Sequence, residues 1–143
     1  MEIYKKEDFE ETVERKINMC NNTISAMHIY LDKGYNYEPF VKTKECCEEY
    51  KSYLENIKYR NFDELTEREF VDFDYKMHQN YLTQAEYLLE LLNMDLPKEV
   101  VAMMGVDDEE KRDSSRKHMI NEINSTKLDM AILEKFFEDM VCE

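Results

Sequence analysis

The sequence predicts an all-α fold, an elongated up-and-down bundle of four long helices with one short extra helix. Three observations predict it. Apolar residues recur at alternating steps of three and four, the period of a helix stripe, and no segment sustains strand-like alternation. Only 2 Gly and 2 Pro occur in 143 residues, too few for a many-turned β fold. Those four residues also fall between the periodic stretches rather than inside them. Apolar residues make up 43 %, enough for a core, and the length suits a single helical-bundle domain over residues 1–143.

The first helix is expected over about 8–33. Val13, Ile17, Cys20, Ile24, Met27 and Leu31 form its stripe, Asp8 and Glu11 have capping-box spacing, and Gly34 suits the left-handed residue that closes a helix. Pro39, tolerated in a first helical turn, opens a second helix over about 39–59, with Phe40, Thr43, Cys47, Tyr50, Leu54 and Ile57 on one face. Thr66 and Glu69 repeat the capping-box spacing ahead of Phe70, Phe73, Met77, Tyr81, Leu88 and Leu91, which gives a third helix over about 66–93. Pro97 and Gly105 bracket a short helix, 97–104. The last helix, about 108–141, carries Ile123, Met130, Leu133, Phe137 and Met140, with Ser114-Ser115 and Asn124-Ser125 as the places where it is expected to kink or split. The stripes are narrow and rest on 10 Met and 10 Tyr, and Met fills irregular gaps without fixing a unique packing. The same spacing would serve an intermolecular seam, so a homodimer stands as an alternative way to complete the core.

The N-terminal MEIYKKEDFEE lacks the apolar run of a signal peptide, and no stretch approaches the roughly 18 apolar residues of a membrane span. A cytoplasmic protein is the expectation, without glycosylation at Asn21 or Asn124 and with Cys20, Cys46, Cys47 and Cys142 as reduced thiols. Neighbouring Cys46 and Cys47 would point about 100° apart on a helix, a poor geometry for a disulfide or a chelate.

Charge is the most specific signal. The chain holds 33 acids against 19 bases, net −14, unevenly spread. Residues 1–60 have net −2 and residues 111–143 net −1, whereas residues 61–110 hold 14 acids against 3 bases, net −11. Glu67 and Glu69 in one first turn, and Asp107, Asp108, Glu109 and Glu110 in another, suit the positive end of a helix dipole. The scarcity of compensating bases goes beyond that, because unpaired acids repel one another. A surface kept this negative attracts a basic protein and repels nucleic acid. The candidate partner-binding residues are therefore Asp63, Glu64, Glu67, Glu69, Asp72, Asp74, Glu86, Glu90, Asp107, Asp108, Glu109 and Glu110. Neither a membrane nor nucleic acid is an expected direct partner. Reversing charge at Glu69, Asp72 and Asp74 is expected to abolish partner binding. In composition and size the chain resembles the acidic DNA-mimic inhibitors that phages direct against host defence nucleases, some anti-CRISPR proteins among them. That resemblance implies an inhibitor whose carboxylates imitate phosphates and occupy the basic channel of a nucleic-acid enzyme.

Other chemistries find less support. Gly34 and Gly105 alone cannot write a phosphate-binding glycine loop. His28, His78 and His118 each have a carboxylate four residues away (Asp32, Asp74, Glu122), a spacing that shares a helix face and provides an alternative reading as a metal- or small-ligand-binding bundle. No Glu-x-x-His, HExxH or His-x-x-x-His occurs, and the histidines adjoin stripe residues, as ordinary boundary histidines do. Cys20 and Cys47 occupy stripe positions that suit small buried hydrophobes better than nucleophiles. The tyrosines, Tyr50, Tyr53, Tyr75, Tyr81 and Tyr87, have acidic rather than basic neighbours, so they read as core-edge caps or interface anchors and not as base-stacking platforms. Binding without turnover and without a cofactor is the expectation.

Overall fold

A computed structural model describes residues 4–141, and 84 % of the chain is helical with no strand among those residues. Helices α1 (Lys6–Asp32), α2 (Glu38–Lys58), α3 (Glu67–Leu92), α4 (Lys98–Met103) and α5 (Glu109–Val141) follow in order, with one 3₁₀ turn at Phe62–Glu64. The long helices pack in chain order, α1 on α2, α2 on α3 and α3 on α5. Helix α3 therefore lies between two neighbours, while the outer side of α5 is left uncovered.

The stripes explain the packing. All six expected positions of α2, from Phe40 to Ile57, are buried. Cys47, Tyr50, Leu54 and Ile57 meet Phe9, Val13, Ile17 and Cys20 of α1 and Phe70 and Phe73 of α3. Aromatic rings dominate this end. Phe9 lies 4.8 Å from Phe73 and edge-on to Phe70 at 5.3 Å, and Tyr4 is edge-on to Phe73 at 5.8 Å, the arrangement that ring quadrupoles favour. At the other end Tyr30 stacks flat on Phe40 at 4.2 Å, beside Leu91 and Val100. Short α4 closes that end, where Val101, Leu92 and Val106 pack against Met119 of α5.

Helix ends follow local chemistry. Thr66 and Glu69 form the expected capping box, with the Glu69 amide donating to Thr66 Oγ1 at 3.1 Å and the Thr66 amide to Glu69 Oε1 at 3.2 Å. Thr66→Ala is expected to cost about 1 kcal/mol, readable as a lower urea midpoint with an unchanged slope. Pro39 sits in the first turn of α2, and Gly34 and Gly105 take the left-handed conformation (φ +89° and +76°) after α1 and α4. The expected Asp8 cap does not form. The N-cap is Lys5, which makes no side-chain cap, and Asp8 falls in the first turn, where its carbonyl accepts the Thr12 hydroxyl at 2.8 Å.

Helix α5 runs unbroken through Ser114-Ser115 and Asn124-Ser125. It lies along α3 and is tied to it at intervals: Arg116 to the Leu92 carbonyl, Tyr81 to Glu122 at 3.1 Å, His78 to Asp129 at 3.7 Å and Tyr75 to Glu134 at 3.1 Å. Packing along its length outweighs the weak helix propensity of Ser and Asn.

Candidate partner-binding surface

The fold sorts the acids into two kinds. Glu69, Asp72 and Asp74 are committed to the structure. Besides its capping role, Glu69 receives Arg60 through both guanidinium nitrogens (2.8 and 3.4 Å). Asp72 accepts the Tyr53 hydroxyl at 3.5 Å and lies 4.0 Å from Lys76. Asp74 accepts the Tyr4 hydroxyl and so helps tie Tyr4 to α3. Charge reversal at these three positions is expected to lower stability as well as to disturb any interface, so that triple variant does not isolate binding. Asp107 and Asp108 share Lys111 (3.9 and 4.0 Å), Asp108 caps α5 by accepting the Lys111 amide at 2.8 Å, and Glu109 pairs with Arg116 at 3.5 Å.

Asp63, Glu64, Glu67, Glu86, Glu90 and Glu110 are exposed, and among the described residues none has an ion-pair partner. They do not form one continuous patch. Asp63, Glu64 and Glu67 gather where α3 begins, the amide of Asp63 being held by the Asn61 side chain at 3.1 Å. Glu86 and Glu90 stand near the other end of α3, on the wall of an open groove of about 610 Å³ that Ile123 and Lys127 of α5 complete. At 1.5 Å per residue, Glu67 and Glu90 are about 35 Å apart along the helix.

Burial raises the Glu69 carboxyl, but the Thr66 amide and Arg60 outweigh it and hold the group below its ordinary 4.5. A carboxylate lowered in the native state contributes stability that is fully present above its unfolded value and is lost as pH falls through the lowered native one. Glu69→Gln is therefore expected to lower the urea midpoint at pH 7 and to converge on the parent only as pH falls below the lowered native value, where the parent carboxylate is protonated. Glu99 is likewise held low, by Lys33 at 2.8 Å and the Tyr35 hydroxyl at 2.5 Å.

The three histidines are not brought together. His28 is exposed on α1. His78 Nδ1 lies 2.7 Å from the backbone carbonyl of Asp74 rather than its carboxylate, and Nε2 faces Asp129. His118, exposed on α5, pairs with Glu122 at 3.9 Å. Among the described residues, no three His, Cys, Asp or Glu side chains converge to hold a metal ion. Cys20 and Cys47 are buried, and burial pushes the Cys20 thiol up to about 11. Half-buried Cys46 is held lower by hydrogen bonds from the Cys47 thiol and from Asn80 Nδ2 at 3.0 Å, and it lines a groove of about 370 Å³ between α2 and α3. Cys142 lies outside the described residues. No described helix is long and apolar enough to cross a membrane.

Two features escaped the sequence reading. Arg116 reaches from α5 to the carbonyl that ends α3, a contact between residues 24 apart that no local pattern signals. Leu128, Ile132 and Phe136 are exposed on α5, and their spacing of four was visible in the chain. No protein-family model matches the chain, nor does any curated protein or solved structure.

Proposed function

We propose that the protein works by binding, docking the basic surface of another protein through Asp63, Glu64, Glu67, Glu86, Glu90 and Glu110 and inhibiting that partner. The observation that carries this reading is that these exposed carboxylates make no ion pair among the described residues, within a segment of net −11. Self-repulsion among them costs stability, and a cationic partner relieves it. Of these, Glu67 and Glu90 lie about 35 Å apart along α3, close to one turn of duplex DNA at about 34–36 Å, a distance that supports phosphate mimicry toward a nucleic-acid enzyme.

The test is capture from host lysate on the immobilised protein at low and at high salt. A basic nucleic-acid-binding protein held at low salt, released at high salt and displaced by duplex DNA is expected, because exposed charge contacts are screened within about 10 Å at 0.1 M salt. Capture of nothing at either salt, or capture that salt leaves unchanged, contradicts the reading.

A further inference from the structure

The groove of about 370 Å³ between α2 and α3 brings together chemistry that the exposed acids do not use. Cys46, Glu49 and Tyr50 line it from α2, and Lys76 and Asn80 from α3. Cys46 is half-buried there, and Asn80 Nδ2 donates to its sulfur at 3.0 Å. Hydrogen bonds from the Cys47 thiol and from Asn80 hold the Cys46 thiol below its ordinary 9.0, outweighing burial and nearby Glu49. Its neighbours go the other way. Cys47 is pushed up by its bond to Cys46 and by burial, and burial takes Cys20 up to about 11. One thiol of the three is thus both biased toward the thiolate and placed on a groove.

Tyr50 supplies an independent observation. It lines the same groove and is 7 % exposed, yet its buried hydroxyl has no hydrogen-bond partner among the described residues. Burial keeps the proton on that hydroxyl, so it is a donor in need of an acceptor. Charge completes the site. Glu49 stands on the α2 wall and Lys76 on the α3 wall. Lys76 Nζ lies over the Tyr53 ring at 5.3 Å and 4.0 Å from Asp72, contacts loose enough to yield to a carboxylate.

We propose that this groove is a modification site, where Cys46 forms a mixed disulfide with a small thiol of the amino-acid class, carrying both a carboxylate and an ammonium group. The Cys46 thiolate attacks one sulfur of the symmetrical disulfide of that thiol. A new S–S bond forms at Cys46 as the reagent's own S–S bond breaks, and the departing thiolate leaves with the electron pair and takes a proton from solvent. Cys46 is oxidised by the two electrons that reduce the departing thiol, so no further oxidant is required. Lys76 receives the carboxylate, Glu49 the ammonium, and the Tyr50 hydroxyl donates to a polar atom of the bound group. The site stands whether or not the unpaired acids dock a partner.

The test exposes the folded full chain to cystine, with Cys142→Ser so that this thiol does not contribute, and reads intact mass and peptide maps. The expected product is a single cysteinyl group at Cys46, with Cys20 and Cys47 unmodified. Cystine is expected to react about 10-fold faster than cystamine, which has no carboxylate, or dithiodiglycolate, which has no ammonium. Lys76→Glu is expected to remove most of the advantage of cystine over cystamine. Asn80→Ala is expected to slow all three reagents at about pH 7 and to converge on the parent near pH 10, where the thiol is ionised in both. Tyr50→Phe is expected to keep parental melting while lowering the equilibrium yield of the mixed disulfide about 5-fold, an effect that a packing role would not produce. If a variant misfolds, the ranking of the three reagents on the parent still decides. No adduct on the folded chain, modification of Cys20 or Cys47 at the rate of Cys46, or equal rates with the three reagents overturns the proposal. A mixed disulfide indifferent to Tyr50→Phe overturns it too, leaving Cys46 an ordinary accessible thiol.

Discussion

Phe73→Ala is expected to remove about 3–5 kcal/mol of stability, the largest loss from any single truncation proposed for this chain. Phe73 is fully buried where α1, α2 and α3 meet, with Phe9 at 4.8 Å and Tyr4 at 5.8 Å. Truncation removes the transfer free energy of the ring and leaves a space that three helices cannot close without moving. It also strips Tyr4 of an edge-on contact, and Phe9 of a tilted one, each worth about 0.5–1.5 kcal/mol beyond area. Small domains are stable by about 5–15 kcal/mol, so the variant sits near its unfolding threshold. Urea denaturation gives the number directly. Phe136→Ala, on the exposed side of α5, is the control and is expected to change little in the monomer. A loss below about 1 kcal/mol at Phe73 would mean that the three helices do not share one core.

Arg116→Ala is the next largest, at about 2–3 kcal/mol. Leu92 ends α3, and its carbonyl is one of the acceptors that a helix leaves without an internal partner. Arg116 answers it with Nε at 3.1 Å and a terminal guanidinium nitrogen at 2.7 Å, while pairing with Asp113 at 2.6 Å. Leu92 itself is 2 % exposed, so water has poor access to the abandoned carbonyl. The side chain also fixes where α5 lies on α3. The loss should therefore appear as earlier hydrogen exchange along the first half of α5 as well as in the global midpoint. Arg116→Lys is expected to recover less than half, because one ammonium cannot reproduce the two-pronged contact.

The parts of this architecture legible in the chain were those written in local pattern. The stripe of α2 alternates cleanly by four and three, and every member is buried. Thr66 and Glu69 cap α3 because both halves of the box fall within one turn. Asp8 and Glu11 show the same spacing, yet α1 starts at Lys6, so spacing alone does not place a cap. Tyr81 sits at a stripe position but is 44 % exposed, its hydroxyl drawn out to Glu122. Which acids are tied up in internal contacts was not legible at all. Glu69 with Arg60, Asp74 with Tyr4 and Glu99 with Lys33 depend on how the helices lie side by side, and that separates structural acids from those free to meet a partner.

The division of the acids is what one comparison tests most directly. Glu86→Lys/Glu90→Lys/Glu110→Lys and Glu69→Gln/Asp72→Asn/Asp74→Asn are each measured for affinity toward the basic protein captured at low salt and for urea stability. The first variant is expected to lose about 100-fold or more in affinity at low salt, converging on the parent at high salt, with stability equal or slightly raised as repulsion is relieved. The second is expected to lose stability first. Parental affinity in the folded Glu86→Lys/Glu90→Lys/Glu110→Lys variant would contradict a binding role for the unpaired acids.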